Sequence, residues 1–141
     1  MSKINPLSPA VLTPGTWHGE FYGKASGTIG TDVRSERASI AGICYMVVPA
    51  RLTPPSSQEK YRSVVWIGAV SNERQQSSAG LLSRDHDPRL LSLTLKVTFS
   101  EIGTIISLLR EGLFTEFHFQ VEPSGTDGGC DVSGWSGSFA L

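Results

Sequence analysis

Charged residues are scarce in this sequence. Asp, Glu, Lys and Arg together make up 18% of its 141 residues, whereas soluble globular domains carry about 25%. The formal net charge is −1. Proteins that bind nucleic acids usually show a basic excess or a basic stripe on one face, so this balance makes a nucleic-acid partner unlikely while leaving room for a local basic patch.

Cysteine is also scarce, with only Cys44 and Cys130 present. Neither belongs to a CxxC pair or has a histidine at ligand spacing, so we predict no metal site. Cys44 lies in an apolar stretch and is expected to be a small buried hydrophobe, with a reactive thiol as the alternative. For the pair of cysteines, a disulfide is the alternative to two reduced thiols. The N-terminal region lacks the charged and then apolar segments of a signal peptide, which favours a cytoplasmic protein with reduced thiols.

Long apolar runs and nucleotide-binding motifs are missing as well. No run approaches the roughly 18 apolar residues that span a bilayer, so we expect no membrane partner. The sequence contains neither a GxxxxGK[ST] phosphate loop nor a GxGxxG turn between a strand and a helix, and it has no GxSxG elbow. We therefore predict no cofactor. Many enzymes carry no linear signature, so an enzyme stays among the alternatives.

The clearest pattern that is present lies between Leu91 and Val121. Apolar residues alternate with polar ones over residues 91–99, and again over residues 116–122. A period of two is typical of strands with one buried and one solvated face. We therefore predict a strand at each end of this stretch.

An amphipathic helix is predicted between those strands, over about residues 101–111. Its apolar residues recur at the i, i+3, i+4 and i+7 spacing of one helix face: Ile102, Ile105, Ile106 and Leu109. Ser100 is placed to cap the first turn, and Gly112 follows where a left-handed residue commonly ends a helix. Because short helices are marginal alone, this whole face should be buried, and an aspartate at Ile105 or Ile106 should unfold the domain.

The remaining sequence predicts short strands joined by turns, as its 15 glycines and 8 prolines suggest. Strands are expected at residues 17–24, 40–48, 61–70 and 133–141. Residues 40–48 are apolar at successive positions, which is typical of a strand covered on both faces. Gly27 to Gly30 is predicted to be a turn, and the polar residues 32–39 an exposed edge strand or a loop.

These elements predict a mainly β (α+β) fold. We expect an antiparallel β-sandwich or a partly open barrel of about six or seven strands, with the one helix covering an end or a face. The helix could also serve as a crossover between parallel strands. Residues 1–16 contain three prolines and are expected to form a Pro-rich N-terminal arm, while residues 17–141 form a single β-rich domain.

The densest polar cluster runs from Arg84 to Arg89, and His86 lies in it between Asp85 and Asp87. A carboxylate next to a histidine can orient it and raise its basicity. In an extended segment, however, neighbouring side chains point to opposite faces. A solvated loop is therefore the favoured interpretation, with His86 and Asp85 as weak catalytic candidates.

The other two histidines also lie near carboxylates. His18 shares the polar face of its predicted strand with Glu20, and His118 shares the face of another strand with Glu116. If the two strands are neighbours, four ionisable groups would converge as an acid–base or metal-binding candidate. An ordinary solvated face with cross-strand ion pairs is the more common arrangement.

The tryptophans offer a different kind of candidate. Trp17 and Trp135 alternate with glycines, and an aromatic ring beside glycines can form a flat face for a sugar, a base or a protein. Burial statistics favour the core for both. Trp66 lies in an apolar strand and is expected in the core. The binding candidates are therefore Trp17 and Trp135, with Arg84 and Arg89 from the polar cluster.

These patterns favour a non-catalytic domain that binds a protein partner or itself, with a homodimer as the expected assembly. Contact would form through an edge strand, or through a helix face of small residues: Ser100, Gly103 and Ser107. The first alternative is a small enzyme that uses His86 or His18 with nearby carboxylates. The second is a single-stranded nucleic-acid binder that uses aromatic side chains with four arginines: Arg34, Arg37, Arg84 and Arg89.

Overall fold

The structure, a computed structural model, describes residues 12–34, 39–70, 78–85, 87, 89–123 and 129–139. These residues form eight strands and one helix: β1 Gly15–Phe21, β2 Ser26–Arg34, β3 Ser39–Thr53, β4 Tyr61–Val70, β5 Gly80–Arg84, β6 Leu91–Thr98, α1 Phe99–Arg110, β7 Glu116–Val121 and β8 Cys130–Gly137. The predicted mainly β fold with one helix is confirmed. Most of the predicted N-terminal arm, residues 1–11, lies outside the described residues.

Seven of the strands form a closed barrel. They follow the order β1-β7-β8-β5-β6-β4-β3, and a further pairing of β1 with β3 completes the ring. Neighbouring strands run antiparallel except for β4 and β6, which are parallel. Because the ring is closed, each of its strands has a neighbour on both sides, which removes the free edges that an open sheet would have.

The long strand β3 extends beyond the barrel, where it forms a two-stranded ribbon with β2. It pairs with β4 over Tyr45–Leu52 and with β1 over Ala50–Thr53. Over Ser39–Cys44, the only partner among the described residues is β2. We call β2 together with residues 39–44 the β2–β3 ribbon. β1 and β2 lie end to end along the same edge of β3, and β7 covers only the β1 part.

Two strands differ from the sequence-based expectation. Gly27 to Gly30, predicted to be a turn, lie inside β2, because cross-strand pairing along its whole length with β3 outweighs the turn preference of glycine. β5 was not predicted at all. Its two leucines are too short an apolar run to show a period, and its place is set by pairing with β6 and β8.

Alternate side chains of the strands fill the barrel. The burial of β6 and β7 alternates strictly along each strand, as the period of two predicts. The largest fully buried side chains include Trp17, Phe117, Phe119, Leu52, Ile67 and Leu82. Trp66 was predicted to be in the core and is instead 38% exposed, because Val65 and Ile67 on either side of it take the inward positions.

The outer face of β3 corrects a second expectation. Tyr45 is exposed there, so this strand is not covered on both faces. A single closed barrel has only one interior, and within the described residues no second layer covers Tyr45 on the outside. Apolar residues at successive positions therefore reflect an exposed apolar surface in this case.

Helix α1 follows β6 directly and packs against β4 and β6, at the end of the barrel where these parallel strands finish. Ile102 and Ile105 are buried, whereas Ile106 is 42% exposed. The predicted burial of the whole apolar face is therefore wrong at Ile106. α1 connects β6 to β7, which run in opposite directions because the pairings β6–β5, β5–β8 and β8–β7 are all antiparallel. The helix is therefore not a parallel crossover.

The ends of the helix are set by local hydrogen bonds. The N-cap is Thr98 and not Ser100, because the backbone N–H of Thr98 donates to Oε1 of Glu101 at 3.0 Å. The hydroxyl of Thr98 also donates to Oε1 of Glu101, at 2.7 Å, and this hydrogen bond, together with the one from the backbone N–H, lowers the pKa of Glu101. Gly112 has φ of 69°, which confirms the left-handed residue predicted at the C-terminal end. Among the described residues, no helix is long and apolar enough to cross a membrane.

Candidate functional site

The pairing of β1 with β7 brings the two strand histidines together. His18 lies directly opposite His118, and their ring centroids are 4.9 Å apart. Nε2 of His18 lies 3.1 Å from Oε1 of Glu116. The two strands are thus neighbours, which was the condition for the predicted convergence of these side chains.

Glu20, the fourth group of the predicted cluster, pairs with Lys60 and not with the histidines. Oε1 of Glu20 accepts a hydrogen bond from Nζ of Lys60 at 2.8 Å, and this bond holds the pKa of Glu20 below its ordinary value. Within the described part of the chain, no three His, Cys, Asp or Glu side chains are arranged to hold a metal ion. The cluster lies on the outside of the barrel, where Glu116 is 64% exposed, so it has the geometry of ordinary cross-strand pairs.

The Arg84–Arg89 stretch contains a local ion pair. Asp87 accepts hydrogen bonds from Nε of Arg89 at 3.0 Å, from its Nη2 at 2.8 Å and from its backbone N–H at 2.9 Å. The backbone N–H of Asp85 donates to the carbonyl of Leu90 at 3.1 Å, which closes a turn before β6. His86 lies outside the described residues. This cluster therefore shapes the entry to β6.

We expect Arg89→Gln to raise the pKa of Asp87. Hydrogen bonds from Arg89 hold that pKa at about 2, against an ordinary value of 3.8. Because the folded-state pKa is lowered, the pair contributes stability above pH 4, and this contribution is lost as the pH falls toward 2. An NMR titration of the Asp87 carboxyl carbon measures the change. Arg110→Gln removes a distant charge and should leave the pKa of Asp87 unaltered. If the pKa of Asp87 stays near 2 in the Arg89 variant, Arg89 is not the cause of the lowered pKa.

The two candidate tryptophans have different environments. Trp17 is fully buried; its ring stacks on Phe119, and its Nε1 donates to the carbonyl of Thr13 at 2.8 Å. Trp17 is therefore a core residue, and its prediction as a binding residue is corrected. Trp135 is partly buried, with its Nε1 donating to the carbonyl of Lys96 at 3.2 Å and its ring stacked on Phe114.

Exposed apolar side chains lie on one face of the β2–β3 ribbon and on the opposite face at its base. Ile29 is 83% exposed and pairs with Cys44 across the ribbon, so both lie on the face that continues the barrel interior. Tyr45 lies on the opposite face, where its ring centroid is 5.8 Å from that of Trp66. In the part of the chain that the structure describes, β2 pairs only with β3 along the ribbon, which leaves its other edge without a strand partner.

This surface was not predicted from the sequence because two glycines of β2 hide its strand pattern. Gly27 and Gly30 interrupt the alternation, and glycines are common in turns. One signal for a strand was present. Residues 28–33 contain four β-branched side chains, and β-branched residues favour strands.

Two cavities flank α1, and Phe114 borders both. The β8-side cavity has a volume of about 560 Å³ and lies between α1 and β8, with Trp135 and Phe139 in its wall. The ribbon-side cavity has a volume of about 530 Å³ and lies between α1, the link 22–25 that joins β1 to β2, and β3. Both volumes fall within the range of about 300–1,000 Å³ that is typical of small-molecule pockets.

No protein-family model, curated protein or solved structure matches this chain. The surfaces described above are thus the basis for assigning a function. The histidine cluster is open to water and shares no residue with either cavity, and an open face neither excludes water nor orients a substrate. The ribbon combines a free strand edge with exposed apolar side chains, which suits binding.

Proposed function

We propose that this chain is a non-catalytic interaction domain that binds a second copy of itself through the free edge of β2. The observation that carries the proposal is the lack of a strand partner on that edge among the described residues. A free edge presents a row of unpaired N–H and C=O groups, which readily pair with another strand. In the described part of the chain, β2 presents such an edge along its whole length, Ser26–Arg34, so β2 is the position where we place a second chain that extends the sheet.

The side chains of the ribbon support the same role. Ile29 is an aliphatic residue exposed to 83% of its area, and burying such a side chain contributes about 1.5–3 kcal/mol. The exposed rings of Tyr45 and Trp66 lie near the base of the ribbon on its other face. Aromatic side chains are enriched at the centres of protein interfaces because they provide large contact areas.

A second copy is the occupant that the geometry favours. Two identical edges related by a two-fold axis pair as antiparallel strands, and each supplies the donors and acceptors that the other needs. Such a contact uses the free β2 edge of both chains and closes as a dimer. The other dimer surface predicted from the sequence is the face of small residues around Gly103 on α1, and these residues are exposed.

Ile29→Lys should convert the dimer to a monomer. A lysine on the edge strand places like charges near the two-fold axis and discourages strand pairing. Native mass spectrometry and light scattering at increasing protein concentration should give twice the 15.2 kDa of one chain for the original protein, and 15.2 kDa for the variant. A monomer at every concentration for the original protein would refute the proposal.

The matched control is Leu81→Lys. Leu81 is 42% exposed, but it lies on β5, which has strand neighbours on both sides. This variant should keep the dimer mass, and so should Gly103→Leu, which alters the outer face of α1. A dimer that survives Ile29→Lys and is lost in Gly103→Leu would move the interface to the helix and overturn the β2 assignment.

The two alternatives have less support. The enzyme alternative depends on His18 or His86; the first lies on an open sheet face, and the second is outside the described residues. The nucleic-acid alternative depends partly on Arg89, which is paired with Asp87. The cytoplasmic location stays part of the proposal and is based on the sequence alone.

A further inference from the structure

The ribbon-side cavity is largely apolar. Its wall combines side chains from the barrel interior with side chains from the inner side of α1: Phe21, Met46, Val48, Ile106, Leu109 and Phe114. Ile106 is 42% exposed although it belongs to the apolar stripe of the helix. An apolar side chain exposed within a concave surface is a site where a ligand can bury further area.

The charged side chains that line this cavity are both cationic. Lys24 comes from the link between β1 and β2, and Arg110 from the last turn of α1. No acidic side chain is among the described residues of its wall. Nε of Arg110 lies 3.9 Å from Oε1 of Glu111, and at this distance between exposed groups the attraction is weak. Arg110 therefore keeps its donors available for an anion.

The end of the helix does not oppose an anion strongly. The C-terminal carbonyls of a helix carry partial negative charge when they are unpaired. Here the carbonyl of Ser107 accepts from Glu111, and that of Leu109 accepts from Gly112, at 3.0 and 3.2 Å. The carbonyl of Leu108 accepts from the backbone N–H groups of Leu113 and Phe114. The two side-chain cations therefore set the sign of the potential at this end.

The β8-side cavity differs in charge. It is lined by one cation, Lys96, and one anion, Glu101, and Glu101 already caps the helix through Thr98. Its wall therefore has no net preference for a charged head group. The combination of an apolar wall with two lining cations and no lining carboxylate belongs to the ribbon-side cavity.

We propose that the ribbon-side cavity binds a single-chain amphiphile with a carboxylate head group, such as a medium-chain fatty acid. The acyl chain lies against Ile106, Met46 and the other apolar side chains of the wall. The carboxylate lies at the rim, where Lys24 and Arg110 donate charge-assisted hydrogen bonds. The ligand would complete the burial of Ile106 that the helix alone does not achieve.

Calorimetric titration with decanoate, decanol and decyltrimethylammonium tests the head-group preference, at ligand concentrations below micelle formation. We expect decanoate to bind one molecule per chain. Decanol should bind about tenfold or more weakly, because a hydrogen bond to a charged group contributes about 1.5–3 kcal/mol. The cationic amphiphile should not bind. Equal affinity for all three head groups, or no binding of decanoate, would refute the assignment.

Variants locate the site. Lys24→Gln combined with Arg110→Gln should reduce the affinity for decanoate to that for decanol, and leave the affinity for decanol unchanged. The matched control removes two cations from elsewhere: Lys60→Gln with Arg62→Gln should bind decanoate as the original protein does. If the control pair weakens binding as much as the cavity pair, the effect is one of net charge and the site is wrong.

Two further variants separate this inference from the proposed self-association. Ile106→Asp should abolish binding of both decanoate and decanol, because it places a charge against the acyl chain. Ile29→Lys should bind decanoate normally, since the cavity lies within one chain. A cavity that binds decanoate only in the dimer would contradict this proposal and leave self-association intact.

Discussion

Ile105→Asp should unfold the protein, whereas Ile106→Asp should leave it folded. The two side chains are adjacent in α1, but Ile105 is 8% exposed and Ile106 is 42% exposed. An aspartate at position 105 removes a buried aliphatic side chain and buries a carboxylate without a partner. We expect a loss of about 4 kcal/mol or more in the free energy of unfolding, a large part of the total of about 5–15 kcal/mol for a typical domain.

At position 106 the aspartate can stay in water, so we expect a loss of about 1 kcal/mol or less. Circular dichroism and urea unfolding of both variants measure the difference. Since the two substitutions are chemically identical and occur in one helix, helix propensity is matched between them. If both variants unfold, Ile106 is packed as closely as Ile105. Its side chain would then not be available to a ligand in the ribbon-side cavity.

Gly80→Ala should cost about 2–3 kcal/mol, the upper range for overpacking. Gly80 is buried in β5 between β6 and β8. A Cβ at this position would collide with the backbone carbonyl oxygen of Thr94, and it would lie 3.4 Å from Cα of Leu95. Backbone atoms of a paired neighbouring strand cannot turn away as a flexible side chain can, so β5 and β6 would have to separate.

Gly68→Ala is the matched control for this prediction. Gly68 lies in β4, and a Cβ there would have no heavy atom within 4 Å. Alanine restricts the unfolded chain more than glycine does, so this variant should be neutral or more stable by about 0.4–1 kcal/mol. The midpoints of urea unfolding for the two variants provide the comparison. Equal midpoints would show that β5 does not approach β6 as closely as described.

The sequence predicted the elements with strong periodicity. β6, α1 and β7 lie within a residue or two of their predicted positions, because alternation and the i, i+3, i+4, i+7 spacing report directly which side chains share a face. That spacing does not report how wide the contact surface is. The barrel end meets Ile102 and Ile105 and leaves part of Ile106 uncovered, so the predicted burial failed there.

Barrel closure and the candidate sites depend on pairings between distant parts of the chain. The sequence placed His18 and Glu116 on polar strand faces, but these residues are 98 positions apart and their contact requires the register of β1 against β7. For the same reason the sequence did not reveal that β2 lies outside the ring. The orientation of Trp66 depends on which face of β4 turns inward, and its strand is apolar on both faces.

The closure of the ring by β1 has a consequence for how the chain folds. β1 must pair both with β3 and with β7, and β8 lies between β7 and β5 in the ring. The barrel therefore cannot close during synthesis until β8, Cys130–Gly137, has left the ribosome. Contacts between such distant residues make folding slow, typically on a millisecond-to-second timescale. Until then β1 and the growing sheet both present open edges to other chains. The exposure of these edges, and with it the risk of aggregation, therefore ends only after β7 and β8 have been made.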